Sequence, residues 1–203
     1  MRIIIYKRQL LYLAISFFIA TIIGTISHEF GHYITARLLG FRAHMSYGMV
    51  SFSNDYKIMN PRQEFWIRLA GPLQTMLTGT VGFLFLYHSP NPSVRLSFLQ
   101  WVLIFLSLFW LRQSANFILW IGEYLYTGQF GTNGDEIKLS LYLHLPSWVM
   151  VSTTGLVGFI ILAVVLFRFT PVSQRLTFIL SGLIGGTCGY LFWLVYFGKI
   201  IMP

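Results

Sequence analysis

Residues 9 to 27 read QLLYLAISFFIATIIGTIS, nineteen positions without a charge, and run directly into His28-Glu29-Phe30-Gly31-His32. That length approaches the ~20 apolar residues that carry a helix across a ~30 Å hydrocarbon core. Arg2, Lys7 and Arg8 before it give the outline of a leader peptide, but the apolar run is longer than a leader's centre and no small-x-small cleavage site stands out. It is read as a retained transmembrane helix from Gln9 to Leu39, longer than the membrane and protruding at its end.

The rest of the 203-residue chain has the same character: 56% hydrophobic and 10% charged residues cannot build a water-soluble surface. Four more apolar stretches predict spans at about Phe65 to Tyr87, Leu96 to Asn116, Trp148 to Phe169 and Leu176 to Phe197. The expected fold class is an all-α polytopic membrane protein of about five transmembrane helices. It forms one domain over 1–203, with a core at 9–145 and accessory helices at 146–203. The expected location is an integral multi-pass position, in the cell membrane if the source is bacterial.

The net charge is +8, yet the fourteen Lys and Arg residues lie singly between apolar runs. That pattern suits the headgroups of a lipid bilayer and no nucleic acid. Counting turns, one face receives Arg2, Lys7, Arg8, Arg95, Arg168 and Arg175, and the other Arg37, Arg42, Lys57, Arg62, Arg68, Lys138 and Lys199, so charge bias does not orient the chain. Cys188 is the only cysteine, which rules out an intrachain disulfide. Gly182, Gly186 and Gly185, Gly189, at four-residue spacing, are expected to let helices pack closely in lipid.

His28-Glu29-Phe30-Gly31-His32 is an HExxH sequence. On a helix the two histidines fall about 40° apart on one face, so both imidazoles reach one ion, while Glu29 points toward that ion's open position and can take a proton from water. Three ionisable residues in five, directly after an uncharged run, are costly in a membrane and need a compensating role. Metal coordination supplies one, and Zn2+ is the expected cofactor. A catalytic zinc takes three protein ligands, so a carboxylate is wanted from among Asp55, Glu64, Glu123, Asp135 and Glu136.

With its continuation through Tyr33 and Ala36-Arg37-Leu38-Leu39-Gly40, this motif resembles the first core helix of the site-2 proteases. Ala70-Gly71-Pro72-Leu73 is similar to that family's AGPL segment, although Gln74-Thr75 follows where an Asn-containing continuation is usual. Asn133-Gly134-Asp135 looks like a variant of the family's Gly-containing Asp motif, with Gly before the Asp and the neighbouring prolines absent. The resemblance implies Asp135 as third ligand beside His28 and His32, Glu29 as general base, and a role for Asn116 in binding the oxyanion. Turn parity agrees, returning 117–147 to the face of the histidines. Glu123 is the competing ligand, but a continued helix would carry it about 10 Å past Asn116.

Between Ala43 and Ile58 short β-compatible stretches around a Ser53-Asn54-Asp55 turn signal allow either a small membrane-associated β-hairpin or a disordered interfacial loop; the resemblance implies the hairpin, whose edge would pair with an unwound substrate segment as in that family. His44, His88 and His144 are expected at interfaces rather than on a metal. Arg112, four residues before Asn116, is expected to face the bundle interior. The function expected is that of a zinc-dependent intramembrane endopeptidase acting on membrane proteins that present a transmembrane helix. The alternatives are a CAAX-prenyl-protease-like enzyme using Glu123 and a non-catalytic pseudoprotease or transporter.

Overall fold

A computed structural model describes residues 5–52, 59–89 and 96–203. The fold is all-helical apart from one two-stranded antiparallel hairpin, and five of its helices are long and apolar enough to cross a membrane. These are α1 (Lys7–Leu38), α2 (Pro61–His88), α3 (Phe98–Thr127), α5 (Trp148–Phe169) and α6 (Val172–Ile201). The hairpin strands β1 (Ala43–Met45) and β2 (Val50–Phe52) follow α1, and the short helix α4 (Asp135–Tyr142) follows α3. The chain is an integral, multi-pass membrane protein by this architecture.

Helix α1 is 32 residues long, roughly 48 Å at 1.5 Å per residue, and so overshoots the hydrocarbon core. Two hydroxyls within the span are satisfied internally: Thr21 Oγ1 donates to the Phe17 carbonyl and Thr25 Oγ1 to that of Thr21, each at 2.9 Å. Gly40, at φ +88°, ends it in a Schellman turn, with Phe41 N–H donating to the Ala36 carbonyl and Gly40 N–H to that of Arg37. Helix α2 begins four residues before the expected Phe65, because Asn60 and Gln63 close a capping box and Pro61 suits the first helical turn. Helix α3 runs on past the expected end at Asn116 to Thr127, where Gly128 at φ +75° caps it.

Glycines set the helix contacts. A Cβ on Gly189 would stand 2.8 Å from the Phe18 carbonyl of α1, and Gly185 meets the Ala14 backbone still more closely. Of the two expected four-residue pairs, Gly185 and Gly189 therefore make the α1–α6 contact; Gly182 faces the Phe17 ring and Gly186 has open space. Gly79 and Gly82 of α2 lie against Trp110, Leu106 and Ser107 of α3, and Gly155 and Gly158 of α5 take the other side of α3 at Phe117 and Ser114. The apolar core between these helices includes Leu13, Phe17, Leu86, Ile104, Val165, Phe169 and Phe178.

The hairpin pairs Ala43 with Phe52, His44 with Ser51 and Met45 with Val50. Its turn is Ser46 to Met49, closed by Ser46 N–H donating to the Met49 carbonyl at 2.9 Å, and not the expected Ser53-Asn54-Asp55, which lies outside the described residues. Strands this short do not hold themselves. The end of α6 holds the turn: Trp193 Nε1–H donates to the Tyr47 carbonyl at 2.7 Å, and Tyr47 N–H donates to the Met202 carbonyl at 3.0 Å. Trp193 lies in a π-helical stretch, Leu191–Phe197. The terminal span thus does more than accessory packing.

Candidate metal centre

The site forms where α1 crosses α2. Gly31 lies between the two histidines, and a Cβ on it would stand 2.6 Å from the Ala70 carbonyl, so the helices cross at van der Waals contact. Gly71 is the matching residue on α2. A Cβ there would lie 2.7 Å from His28 Nε2 and closer still to the His32 ring, so the missing side chain of Gly71 is the space that the imidazoles occupy. Pro72, one residue on, removes the N–H that would bond the Arg68 carbonyl and leaves this turn of α2 one hydrogen bond short.

Asp135 arrives from the other side. Gly134, at φ +124°, adopts a backbone conformation that other residues rarely reach and turns the chain into α4, of which Asp135 is the first residue. Asp135 Oδ2 lies 3.2 Å from His28 Nε2 and 3.2 Å from His32 Nε2, and the two histidine nitrogens are 3.1 Å apart. Two donors on a tetrahedral zinc with bonds of ~2.0–2.1 Å stand roughly 3.3–3.4 Å from each other, so this near-equilateral triangle fits one small ion.

The protons support the same reading. His32 Nδ1 lies 2.6 Å from the Ile67 carbonyl oxygen, which only accepts, so Nδ1 carries the hydrogen and Nε2 of the neutral ring is a bare lone pair. That lone pair points at another imidazole nitrogen and at a carboxylate oxygen. Each of these contacts needs either a hydrogen on an imidazole Nε2, donated to Asp135, or a cation shared by the three atoms. Burial acts to raise the Asp135 carboxyl, but the histidine contacts outweigh it and hold the group well below its ordinary value, in the ionised state that a ligand requires.

Around this triangle stand Arg68, which the sequence did not single out, and two of the candidate carboxylates, Glu64 and Glu136. Arg68 is bound to Glu64, Nη2 to Oε1 at 2.7 Å, and its Nη1 approaches Asp135 Oδ1 at 3.8 Å, so the guanidinium backs the carboxylate oxygen facing away from the histidines. Glu136, 3% exposed, accepts from Asn116 Nδ2 at 3.2 Å. Burial, and after it the charge of Asp135, push the Glu136 carboxyl up from its ordinary value, against the pull of the Asn116 hydrogen bond. Asn116 therefore reaches the cluster through the residue next to Asp135.

Glu29 is 6% exposed, and its described ionic partner is Arg112, Nη2 to Oε1 at 3.7 Å. Arg112 Nε, His28 Nδ1 and Gln113 Oε1 are buried polar atoms without a hydrogen-bond partner among the described residues, and Gln113 donates to Thr75 Oγ1 at 3.4 Å, one turn of α2 beyond Gly71. Three unsatisfied groups beside one cluster mark a place for water or for polar atoms of a ligand.

His28, Glu29, His32 and Asp135 are thus brought together, with Asn116 one contact away. Glu123 is exposed near the end of α3, against Gly131, and lies outside the cluster. Glu64 is paired with Arg68, and Asp55 lies outside the described residues. His44 is exposed on β1, His88 Nδ1 donates to the Leu84 carbonyl at the far end of α2, and His144, at φ +56°, turns the chain after α4.

No family model, curated protein or solved structure matches the chain. What the fold and site define is a class by geometry alone: a polytopic helical membrane protein in which two buried histidines and a half-buried aspartate cluster beside a buried glutamate.

Proposed function

We propose that this chain is a zinc-dependent intramembrane endopeptidase that cleaves transmembrane segments of membrane proteins. The observation that carries the proposal is the convergence of His28 Nε2, His32 Nε2 and Asp135 Oδ2 within 3.2 Å, with Glu29 buried on the same helix face region. The resemblance of the HExxH, AGPL and Asn-Gly-Asp segments to the site-2 proteases points the same way.

His28, His32 and Asp135 would hold the zinc, which when bound would supply Lewis-acid polarisation of the scissile carbonyl and activation of water. Glu29 takes the proton of the attacking water and returns it to the leaving amine, one group serving as base and then acid. Arg112 lies beside Glu29 and has a donor to spare for the developing oxyanion, whereas the Asn116 amide is engaged by Glu136. Substrate helices must unwind to expose a peptide bond, and the β1–β2 hairpin, tied to the end of α1, offers backbone for the unwound segment.

The test is Glu29→Gln compared with the native protein on a model transmembrane substrate in detergent, with zinc measured on both. The native protein should hold one zinc and cleave; Glu29→Gln should hold one zinc and lose cleavage by at least a thousandfold. A native protein without stoichiometric zinc, or a glutamine variant that still cleaves, defeats the proposal.

A further inference from the structure

Gln113 is a primary amide without exposed surface inside the membrane-spanning helix α3, and only half of it is satisfied. Its orientation follows from Thr75. The Thr75 hydroxyl donates to the Pro72 carbonyl at 2.9 Å, so Oγ1 is left to accept, and the Gln113 amide nitrogen stands 3.4 Å from it. The amide oxygen therefore points elsewhere, an acceptor with no donor among the described residues.

His28 has the opposite need. Its Nε2 is turned to Asp135 Oδ2 and His32 Nε2, at 3.2 and 3.1 Å. With Nε2 as a metal ligand, the one hydrogen of the neutral ring sits on Nδ1, and that N–H requires an acceptor. His28 is 1% exposed and Nδ1 has no partner among the described residues, so neither bulk water nor the protein supplies one.

Two routes of contact bring Gln113 toward this ring. Thr75 lies one turn of α2 beyond Gly71, whose missing side chain is the space of both imidazoles. Arg112, next to Gln113, is close enough for its charge to act on His28 as well as on Glu29, and its Nε is the third unpartnered atom. No direct hydrogen bond joins His28 to Gln113, so the link needs a molecule between them. One water completes it: its lone pairs accept from His28 Nδ1–H and Arg112 Nε–H, and it donates to Gln113 Oε1, about the three bonds usual for a buried water.

We propose that Gln113 is the positioning residue of His28, holding its Nδ1–H through one buried water so that Nε2 faces the metal. The proposal rests on the zinc reading of the cluster. It gives His28 what the Ile67 carbonyl gives His32, a fixed tautomer and ring orientation.

The test is zinc affinity of the full chain in detergent, by competition with a chelating dye. Gln113→Met, of equal length but without an acceptor, should bind zinc about tenfold more weakly or worse, whereas Gln113→Glu, which keeps an acceptor oxygen, should stay within about threefold of native or bind tighter. Thr75→Val removes only the partner of the amide nitrogen and should stay within about threefold. A loss in Thr75→Val equal to that in Gln113→Met would make Gln113 a packing residue and overturn the proposal, as would native affinity in Gln113→Met. Nitrogen-15 NMR of zinc-loaded, histidine-labelled protein reads the link itself. The His28 Nδ1 proton should show cross-relaxation with a bound water in the native chain and exchange about tenfold faster in Gln113→Met, while the His32 Nδ1 proton, held by Ile67, keeps its rate. The native measurement decides even where Gln113→Met does not fold: a His28 Nδ1 proton with no bound water beside it overturns the proposal. A native chain that binds no zinc defeats the metal reading and this one together, whereas native zinc with an indifferent Gln113→Met defeats this one alone.

Discussion

His32 and Ile67 are joined by a hydrogen bond of 2.6 Å, from the imidazole Nδ1–H to a main-chain carbonyl inside α2. The bond fixes the ring's tautomer and orientation with a backbone atom, which no side-chain substitution at position 67 removes. It depends on how closely α1 and α2 approach, and that approach depends on Gly31 and Gly71.

Gly71→Ala is therefore expected to damage the metal centre. The added methyl falls within 2.7 Å of His28 Nε2 and closer to His32, so the imidazoles must move from the triangle. Zinc affinity, by competition with a chelating dye, should fall at least tenfold while helical circular dichroism is unchanged. Affinity within twofold of native would show that the rings do not need this space.

Asp135→Asn should lower zinc affinity at least tenfold and cleavage with it, because a neutral amide replaces the charged oxygen 3.2 Å from both histidines. Glu123→Gln, at an exposed position near the end of α3, should change neither by more than about twofold. The reverse pattern of zinc stoichiometry would transfer the third-ligand role to Glu123.

Asn116→Ala leaves the buried Glu136 carboxylate without its amide partner, a loss on the order of 1–3 kcal/mol. Thermal unfolding should come several degrees lower, and Glu136→Gln in the same chain should recover part of it by removing the buried charge. A variant with native stability and at least a hundredfold loss of cleavage would instead give Asn116 the oxyanion role directly.

Two substitutions address the hairpin. Val50→Pro breaks the Met45–Val50 pairing and should reduce cleavage at least tenfold, whereas Ser51→Ala, which removes only a 3.4 Å hydroxyl contact, should be mild. Trp193→Phe removes the donor to the Tyr47 carbonyl, worth about 0.5–1.5 kcal/mol, and should speed amide exchange in the Ser46 to Met49 turn up to about tenfold. Exchange unchanged in Trp193→Phe would mean that the turn is held without α6.

Hydropathy alone determined the helical class and the number of spans, because a bilayer solvent demands long uninterrupted apolar helices and each is visible as a run of sequence. The pairing of His28 with His32 was equally legible, since four-residue spacing on one helix is a local property. Nothing local reports that Gly71 is the hollow for two imidazoles, that Arg68 backs Asp135, or that Glu136 takes up Asn116. Those contacts join α1, α2, α3 and α4 across 20 to 67 residues of chain, and packing decides them. The hairpin illustrates both halves: β-compatible composition located it, but its turn sits at Ser46 to Met49 because Trp193 and Met202, some 150 residues away, provide the partners that two short strands cannot provide for themselves.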